Sequence, residues 1–229
     1  DLVRSRGLGD VYKRQMVMDS YMHETAWRHY VETLCHRDVA EEEFKQHVHG
    51  KTSAMILEHF LGTGRLTKEE MAAYSEEKEA YYRELCLENK ERFHLTKGLP
   101  EFLDCASGKG IAMTIATAAN LANIEFYFDY FHLEKWFDKQ KVVYDDATLK
   151  GKPAPDIYFS AMKKLNVNPE SCVVFEDAVS GVTSASRAGV GRIIGVYGDS
   201  SKALLEATGV VDCCVPDFEN IQKIIPDIL

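Results

Sequence analysis

The residues of this chain that could do chemistry fall in three short stretches. The first is Val173-Val174-Phe175-Glu176-Asp177, an apolar run that ends in two carboxylates. Carboxylates at the mouth of a buried strand are costly unless they are paired. A hard, oxygen-seeking cation such as Mg²⁺ relieves that cost. The plainer role is for Asp177 to cap a helix starting near Ser180. The second stretch is Gly151-Lys152-Pro153-Ala154-Pro155-Asp156. Its two prolines fix the loop, and the proline after Lys152 holds that residue extended. A cation immobilised at a strand mouth can neutralise a phosphoryl group. The plainer role is a solvated surface lysine. The third stretch is Ile115-Ala116-Thr117-Ala118-Ala119-Asn120. A hydroxyl followed by small residues that open a helix offers an anion a side-chain donor and backbone N–H groups. The plainer role is an N-cap at Thr117. Each signal alone is weak. The order Thr117, Lys152, Glu176-Asp177, each after its own apolar run, is hard to reach by chance.

A parallel sheet would bring such residues together. From about Gly110, short apolar runs alternate with helical stretches. The runs are Ile111–Ala116, Val142–Tyr144, Val173–Phe175, Arg192–Tyr197 and, more weakly, Val210–Val215. Helices are predicted near 119–132, 156–164, 180–188, 201–207 and 218–227. Uninterrupted apolar strands alternating with helices argue for an α/β fold whose sheet is covered on both faces. In such sheets ligands sit beyond the carboxyl ends of the strands. Residues from about His23 to Phe93 read differently. Charged and apolar residues alternate there at helical spacing, Thr67-Lys68-Glu69-Glu70 has the form of a capping box, and Gly62-Thr63-Gly64 separates helices. The expected organisation is a helical domain over 20–95 and an α/β domain over 96–229.

Composition narrows the partners. With 27 basic and 36 acidic residues the chain carries a net charge of −9 and no run of five like charges, which argues against a nucleic-acid or acidic-membrane surface. No apolar run approaches the roughly 20 residues of a membrane span. The six cysteines, at 35, 86, 105, 172, 213 and 214, form no C-x-x-C pair and read as reduced structural thiols. No apolar signal core opens the chain, so a cytoplasmic protein is expected, as a monomer.

The stretches G-K-P-A-P-D-I-Y and V-V-F-E-D-A-V-S-G-V-T-S-A-S-R-A-G-V resemble the haloacid dehalogenase-like hydrolases. The similarity is to the subfamily with a helical cap inserted after the first strand, which includes β-phosphoglucomutase and sugar-phosphate phosphatases, and it covers about 18 to 229. It implies a Rossmann-like core with an all-helical cap, a small phosphorylated substrate and Mg²⁺ as cofactor. By this resemblance Thr117 binds the phosphoryl group, with Ala118 and Asn120 as neighbouring substrate contacts. Lys152 is the cation, and Asp177, helped by Glu176, holds Mg²⁺. His23 and Trp27, in H-E-T-A-W, match the H-x-x-[AS]-W pattern at the start of the cap. Lys51 lies in His49-Gly50-Lys51-Thr52-Ser53, which matches the cap loop reaching over the substrate.

Two departures stand out. The family opens with a strand ending D-x-D-G-[TV], whose first Asp is the nucleophile, and this chain has no such motif. Asp19 and Asp10 lack the surrounding pattern. In its place stands DLVRSRGLGDVYKRQ, which is basic and shows neither helical nor strand periodicity. Asp10 to Gln15 matches the codons GAT GTG TAT AAG AGA CAG and resembles a transposon end from a sequencing library read through as protein. Residues 1–15 are therefore expected to be an artefact that packs poorly, the first core strand to be missing, and the chain to be inactive as written. If part of this segment forms a strand at all, it should do so at the centre of the sheet. The second departure is Ser53, where a mutase is expected to carry an arginine, with Lys51 two residues earlier. That favours a phosphatase over a β-phosphoglucomutase-like isomerase. A pseudo-enzyme that binds phosphorylated ligands without turnover is the third reading.

Overall fold

The computed structural model describes residues 2–6, 16–48, 51–144, 146, 148–198 and 201–228, with the backbone alone for 2–6. These residues divide into two compact units. One runs from Asp19 to His94. The other comprises Leu2–Arg6, Met16–Met18 and the chain from Leu95 onward.

The second unit is built on a five-stranded parallel sheet. Its strands are β1 (Leu2–Arg6), β2 (Met113–Thr117), β3 (Val173–Glu176), β4 (Arg192–Val196) and β5 (Cys213–Val215), in the order β2-β1-β3-β4-β5. The centre of the sheet, predicted to lack its first strand, is occupied by β1. It pairs in parallel with β2, from Leu2 opposite Met113 to Arg6 opposite Thr117, and with β3, from Leu2 opposite Val173 to Arg4 opposite Phe175. The physical reason is the unpaired backbone edge that β2 and β3 would each otherwise present. Residues 1 and 7–15, on which the expectation of poor packing also bears, lie outside the described residues. So do His49 and Gly50 of the expected cap loop.

The predicted strand at Val142–Tyr144 does not form. Val143 makes a single parallel bridge to Ala116, with bonds from Val143 N to Ile115 O (2.9 Å) and from Thr117 N to Val143 O (2.8 Å). A 3₁₀ turn over Lys139–Lys141 occupies the residues that would have extended it. The weak run at Val210–Val215 contributes only Cys213–Val215. Period-2 alternation sends neighbouring residues of β3 to opposite faces. Val174 packs with Tyr158, Ala161, Val182, Ala185 and Ile193. Phe175 packs with Phe102 and Phe218, at centroid distances of 5.2 to 5.4 Å.

The first unit is helical: α1 (Ser20–Cys35), α2 (Glu41–His47), α3 (Ser53–Leu61) and α4 (Lys68–Glu88). The capping box forms as read. Thr67 N donates to Glu70 Oε2 at 2.8 Å, and Glu70 N donates to Thr67 Oγ1 at 3.1 Å. Gly62 ends α3 at φ +100°, a conformation that side chains disfavour. Trp27, Val31, Phe44, Ile56 and Leu57 form the apolar centre of this unit.

The remaining helices belong to the α/β unit: α5 (Leu99–Gly108), α6 (Leu121–Phe131), α7 (Asp156–Leu165), α8 (Val179–Arg187), α9 (Lys202–Ala207) and α10 (Ile221–Ile224). The last helix is far shorter than the predicted 218–227. Asn220 takes a left-handed conformation before it, at φ +59°, and Pro226 follows closely. Among the described residues no helix is long and apolar enough to cross a membrane. The six cysteines carry free thiols.

Candidate active site

Strand β2 is buried along its whole length and ends at Thr117, which is 1% exposed. The Thr117 hydroxyl does not cap the following helix. It accepts a hydrogen bond from Ala119 N at 3.1 Å and so closes a local turn. Asn120 is the cap of α6, its side chain accepting from Asn123 N at 3.0 Å. Ala118 lies between them, half-buried. Of these three expected contacts, Asn120 thus has a structural role of its own.

Strand β3 runs out at Glu176, and Asp177 follows at 5% exposure. The plainer reading of Asp177 as a helix cap fails. Helix α8 starts two residues later, with Ala178 at the cap position and no side-chain capping bond. The β1 register sets these strand ends beside one another, since Arg6 pairs with Thr117 while Arg4 pairs with Phe175. Thr117 and the Glu176–Asp177 pair therefore flank the end of β1 on the same edge of the sheet, about two strand spacings or 10 Å apart.

Lys152 is not a solvated surface lysine. Its side chain is 5% exposed, and its Nζ donates to Glu176 Oε1 at 2.5 Å, where the glutamate side chain has no exposure at all. Tyr158 Oη donates to the same oxygen at 2.8 Å, and Asp177 N donates to Glu176 Oε2 at 3.2 Å. Burial pulls the Lys152 ammonium below its ordinary pKa, while the adjacent Glu176 and Asp177 oppose that shift. The Lys152–Pro153 peptide bond is cis. The loop is fastened to α8 by Ser184 Oγ donating to Ala154 O (2.6 Å) and an Arg187 guanidinium N–H donating to Pro153 O (2.9 Å).

This arrangement changes the role of Glu176. It was expected to help hold a metal ion, but Lys152, Tyr158 and the Asp177 amide engage its two oxygens. Its geometry is that of an anchor for the lysine. Gly181 makes room for it: a Cβ there would lie 2.2 Å from Glu176 Cδ and 2.3 Å from each carboxylate oxygen. Asp177 remains the carboxylate that suits a hard cation. Among the described residues no three His, Cys, Asp or Glu side chains are grouped to hold a metal ion. A site for Mg²⁺ here must therefore draw on Asp177 together with oxygens of the substrate and water, the donor set this ion usually takes.

The three expected cap contacts all belong to the helical unit. His23 is 8% exposed and Trp27 7% exposed, both on the inner face of α1. The His23 ring stacks on Tyr82 at 3.8 Å, its Nδ1 lies 3.3 Å from Lys78 Nζ, and its Nε2 lies 3.6 Å from Asp19 Oδ2. Tyr82 donates to Asp19 Oδ2 at 2.7 Å, and Lys78 donates to Glu79 at 2.6 Å. Lys78 Nζ also sits 5.0 Å from the Trp27 ring centroid. His23 and Trp27 are therefore held by interior contacts of their own unit. Burial raises the Asp19 carboxyl to about 7. Lys51 is half-buried, with its backbone N–H on Val48 O at 3.2 Å.

Sequence reasoning missed Tyr158, Gly181, Lys78 and Tyr82. Tyr158 follows Lys152 by six residues in the stretch already singled out, so a partner search across that loop could have found it. Lys78 and Tyr82 stand four apart on one face of α4, which is the available signal for a shared contact.

The haloacid dehalogenase-like hydrolase family model matches residues 13–189. A phosphorylated carbohydrates phosphatase from Thermotoga maritima is 38% identical over 156 residues, 67% of each chain. A solved haloacid dehalogenase hydrolase of family IA, variant 3, from Entamoeba histolytica superposes with a TM-score of 0.85 at 30% identity, covering 96% of this chain and 93% of that one. A mutant of CbbY from Rhodobacter sphaeroides, solved with xylulose-(1,5)bisphosphate, gives a TM-score of 0.75 at 23% identity, covering 95% and 94%. At that identity the likeness speaks for the fold alone.

Proposed function

This chain belongs to the haloacid dehalogenase-like hydrolases, and on that premise we propose that the complete protein is a Mg²⁺-dependent phosphatase of small phosphorylated carbohydrates. The observation that carries this reading is the buried Lys152 cation, fixed by Glu176 on the same sheet edge as Thr117 and Asp177. A dianionic phosphoryl group placed there meets a hydroxyl donor at Thr117, a cation at Lys152 and a carboxylate at Asp177 able to hold a metal ion. Mg²⁺, when bound, supplies further neutralisation of the charge on the transferring group. Lys152 orients that group and screens its charge, and the low exposure of the site makes the attraction stronger than it would be in water. The likeness to the Thermotoga phosphatase supports phosphorylated carbohydrates as the substrate class.

In the family reaction an aspartate attacks phosphorus and the resulting acyl phosphate is hydrolysed. The chain as written has no D-x-D-G to provide it. A second reading therefore holds for this polypeptide as it stands: it binds phosphorylated ligands and does not turn them over.

The test replaces residues 1–15 by an apolar strand ending in D-x-D-G and follows phosphate release from a panel of sugar phosphates with Mg²⁺. Turnover by the rebuilt chain, lost in Asp177→Ala and Lys152→Ala, is the expected result. Glucose 6-phosphate formed from glucose 1-phosphate and a bisphosphate primer, with little free phosphate, would replace the phosphatase by a mutase. A folded rebuilt chain inert on every phosphate ester would overturn the enzyme reading.

A further inference from the structure

Tyr158 is the one side chain seen to touch both members of the Lys152–Glu176 pair. Its hydroxyl donates to Glu176 Oε1 at 2.8 Å, and its ring centroid lies 5.6 Å from Lys152 Nζ, within cation–π reach. It has no exposure, and its place on α7, packed in the sheet core with Ala161, Val174 and Val182, fixes the ring. The site needs such a residue. A lysine that closes on a buried carboxylate at 2.5 Å is a poor phosphate ligand unless the carboxylate has another donor when the ammonium turns away.

We propose that Tyr158 is a positioning residue for phosphoryl binding: its hydroxyl keeps Glu176 satisfied as Lys152 swings from the carboxylate to the phosphoryl oxygens, while its ring guides the ammonium. This rests on the reading of Lys152 as the phosphate-binding cation. The Asp177 amide keeps its bond to Oε2 throughout, so Tyr158 and that amide together hold Glu176 during the exchange. Without the hydroxyl, Oε1 has only the lysine among these donors, and Lys152 stays with Glu176.

The experiment measures inorganic phosphate binding to the full chain by calorimetry. Lys152→Ala should abolish measurable binding, and its failure to do so would remove the reading of the site itself. Tyr158→Phe, which keeps the ring, should weaken phosphate binding by about 3- to 10-fold, the range for one lost hydrogen bond. In a Glu176→Gln background, where no charge retains the lysine, the same change should have almost no effect. An equal loss in both backgrounds would make Tyr158 merely structural, and no loss in the wild type would overturn the proposal with the site reading intact. Should Glu176→Gln not fold, thermal melting decides. Tyr158→Phe should lower the melting temperature more in Lys152→Met than in the wild type, because the hydroxyl then carries Oε1 alone. Equal decrements would refute the handover.

Discussion

Replacing Gly181 by alanine should destabilise the protein, although alanine is the better helix former. In the middle of α8 the exchange would ordinarily gain about 1 kcal/mol. Here the new Cβ would fall 2.2 Å from Glu176 Cδ, whereas carbon atoms rest at about 3.5–4.0 Å. The carboxylate would have to retreat by more than an ångström. It is held by Lys152 at 2.5 Å, Tyr158 at 2.8 Å and the Asp177 amide at 3.2 Å, so the retreat breaks or stretches those bonds. Overpacking costs about 1–3 kcal/mol, and separating a buried ion pair costs about 3–5 kcal/mol. Partial relaxation of the helix offsets some of this. A net loss of about 2–4 kcal/mol follows, or about 5–15 °C in melting temperature for a chain of this size.

Gly108 is the natural control. It closes α5, is exposed, and has nothing within 4 Å of the place where a Cβ would stand. Gly108→Ala should melt at or slightly above the wild type. The two substitutions are chemically identical and should move melting temperature in opposite directions, read by circular dichroism. A second comparison isolates the cause. With Lys152→Met and Glu176→Ala introduced together, the carboxylate is gone and Gly181→Ala should become neutral or favourable. Equal damage in that background would place the clash elsewhere in α8. A Gly181→Ala chain as stable as the wild type would refute the packing of Glu176 against this helix.

Gly98→Ala should also destabilise, because a Cβ there meets Glu219 N at 2.4 Å and the residue sits at φ +73°; a lowered urea midpoint with an unchanged slope is the expected reading, and an unchanged midpoint would contradict it. Asp19 predicts a pH dependence. Its carboxyl, raised by burial from 3.8 to about 7, keeps a proton in the folded state that the unfolded chain gives up. Its contribution to stability is thus complete below about pH 4 and is lost as pH rises through about 7, by at most about 4 kcal/mol; Asp19→Asn should flatten stability over that window, and an unaltered slope would show the carboxyl ionised when folded. The polypeptide as written should release no phosphate from an aryl phosphate above background, even with Mg²⁺. Mg²⁺-dependent turnover abolished by Asp177→Ala would mean that a nucleophile other than the family's aspartate serves.

The alternation of apolar runs and helices was enough to anticipate a parallel sheet, because a strand buried on both faces must be apolar throughout. Val173–Glu176 and Arg192–Val196 needed no further information. Val142–Tyr144 failed for a reason that composition cannot carry. Its residues are those of a strand, but the 3₁₀ turn just before it leaves room for one bridge only. The last helix failed through Asn220 and Pro226, a left-handed residue and a ring that bracket four helical residues. The centre of the sheet is the opposite case. Leu2–Arg6 has no strand periodicity of its own, and pairing with β2 and β3 supplies what the local sequence does not.

At the site, the sequence left a choice between chemistry and capping, and neighbouring residues decide it. Thr117 and Asp177 each stand one or two positions too early to cap. Asn120 takes the cap of α6, and α8 begins at Val179 without a side-chain cap. A threonine and an aspartate at strand ends, both almost fully buried and neither used to start a helix, need another purpose, and an anion with its counter-ion provides one. The burial of Lys152 could not be read from its own segment. It depends on Glu176, 24 residues away, on Tyr158 one and a half helical turns after the loop, and on a glycine in α8 with no side chain to occupy the carboxylate's space. None of these dependences leaves a mark at position 152. The proline-flanked loop signals only that a lysine is held, and the partners that hold it emerge when β3, α7 and α8 come together.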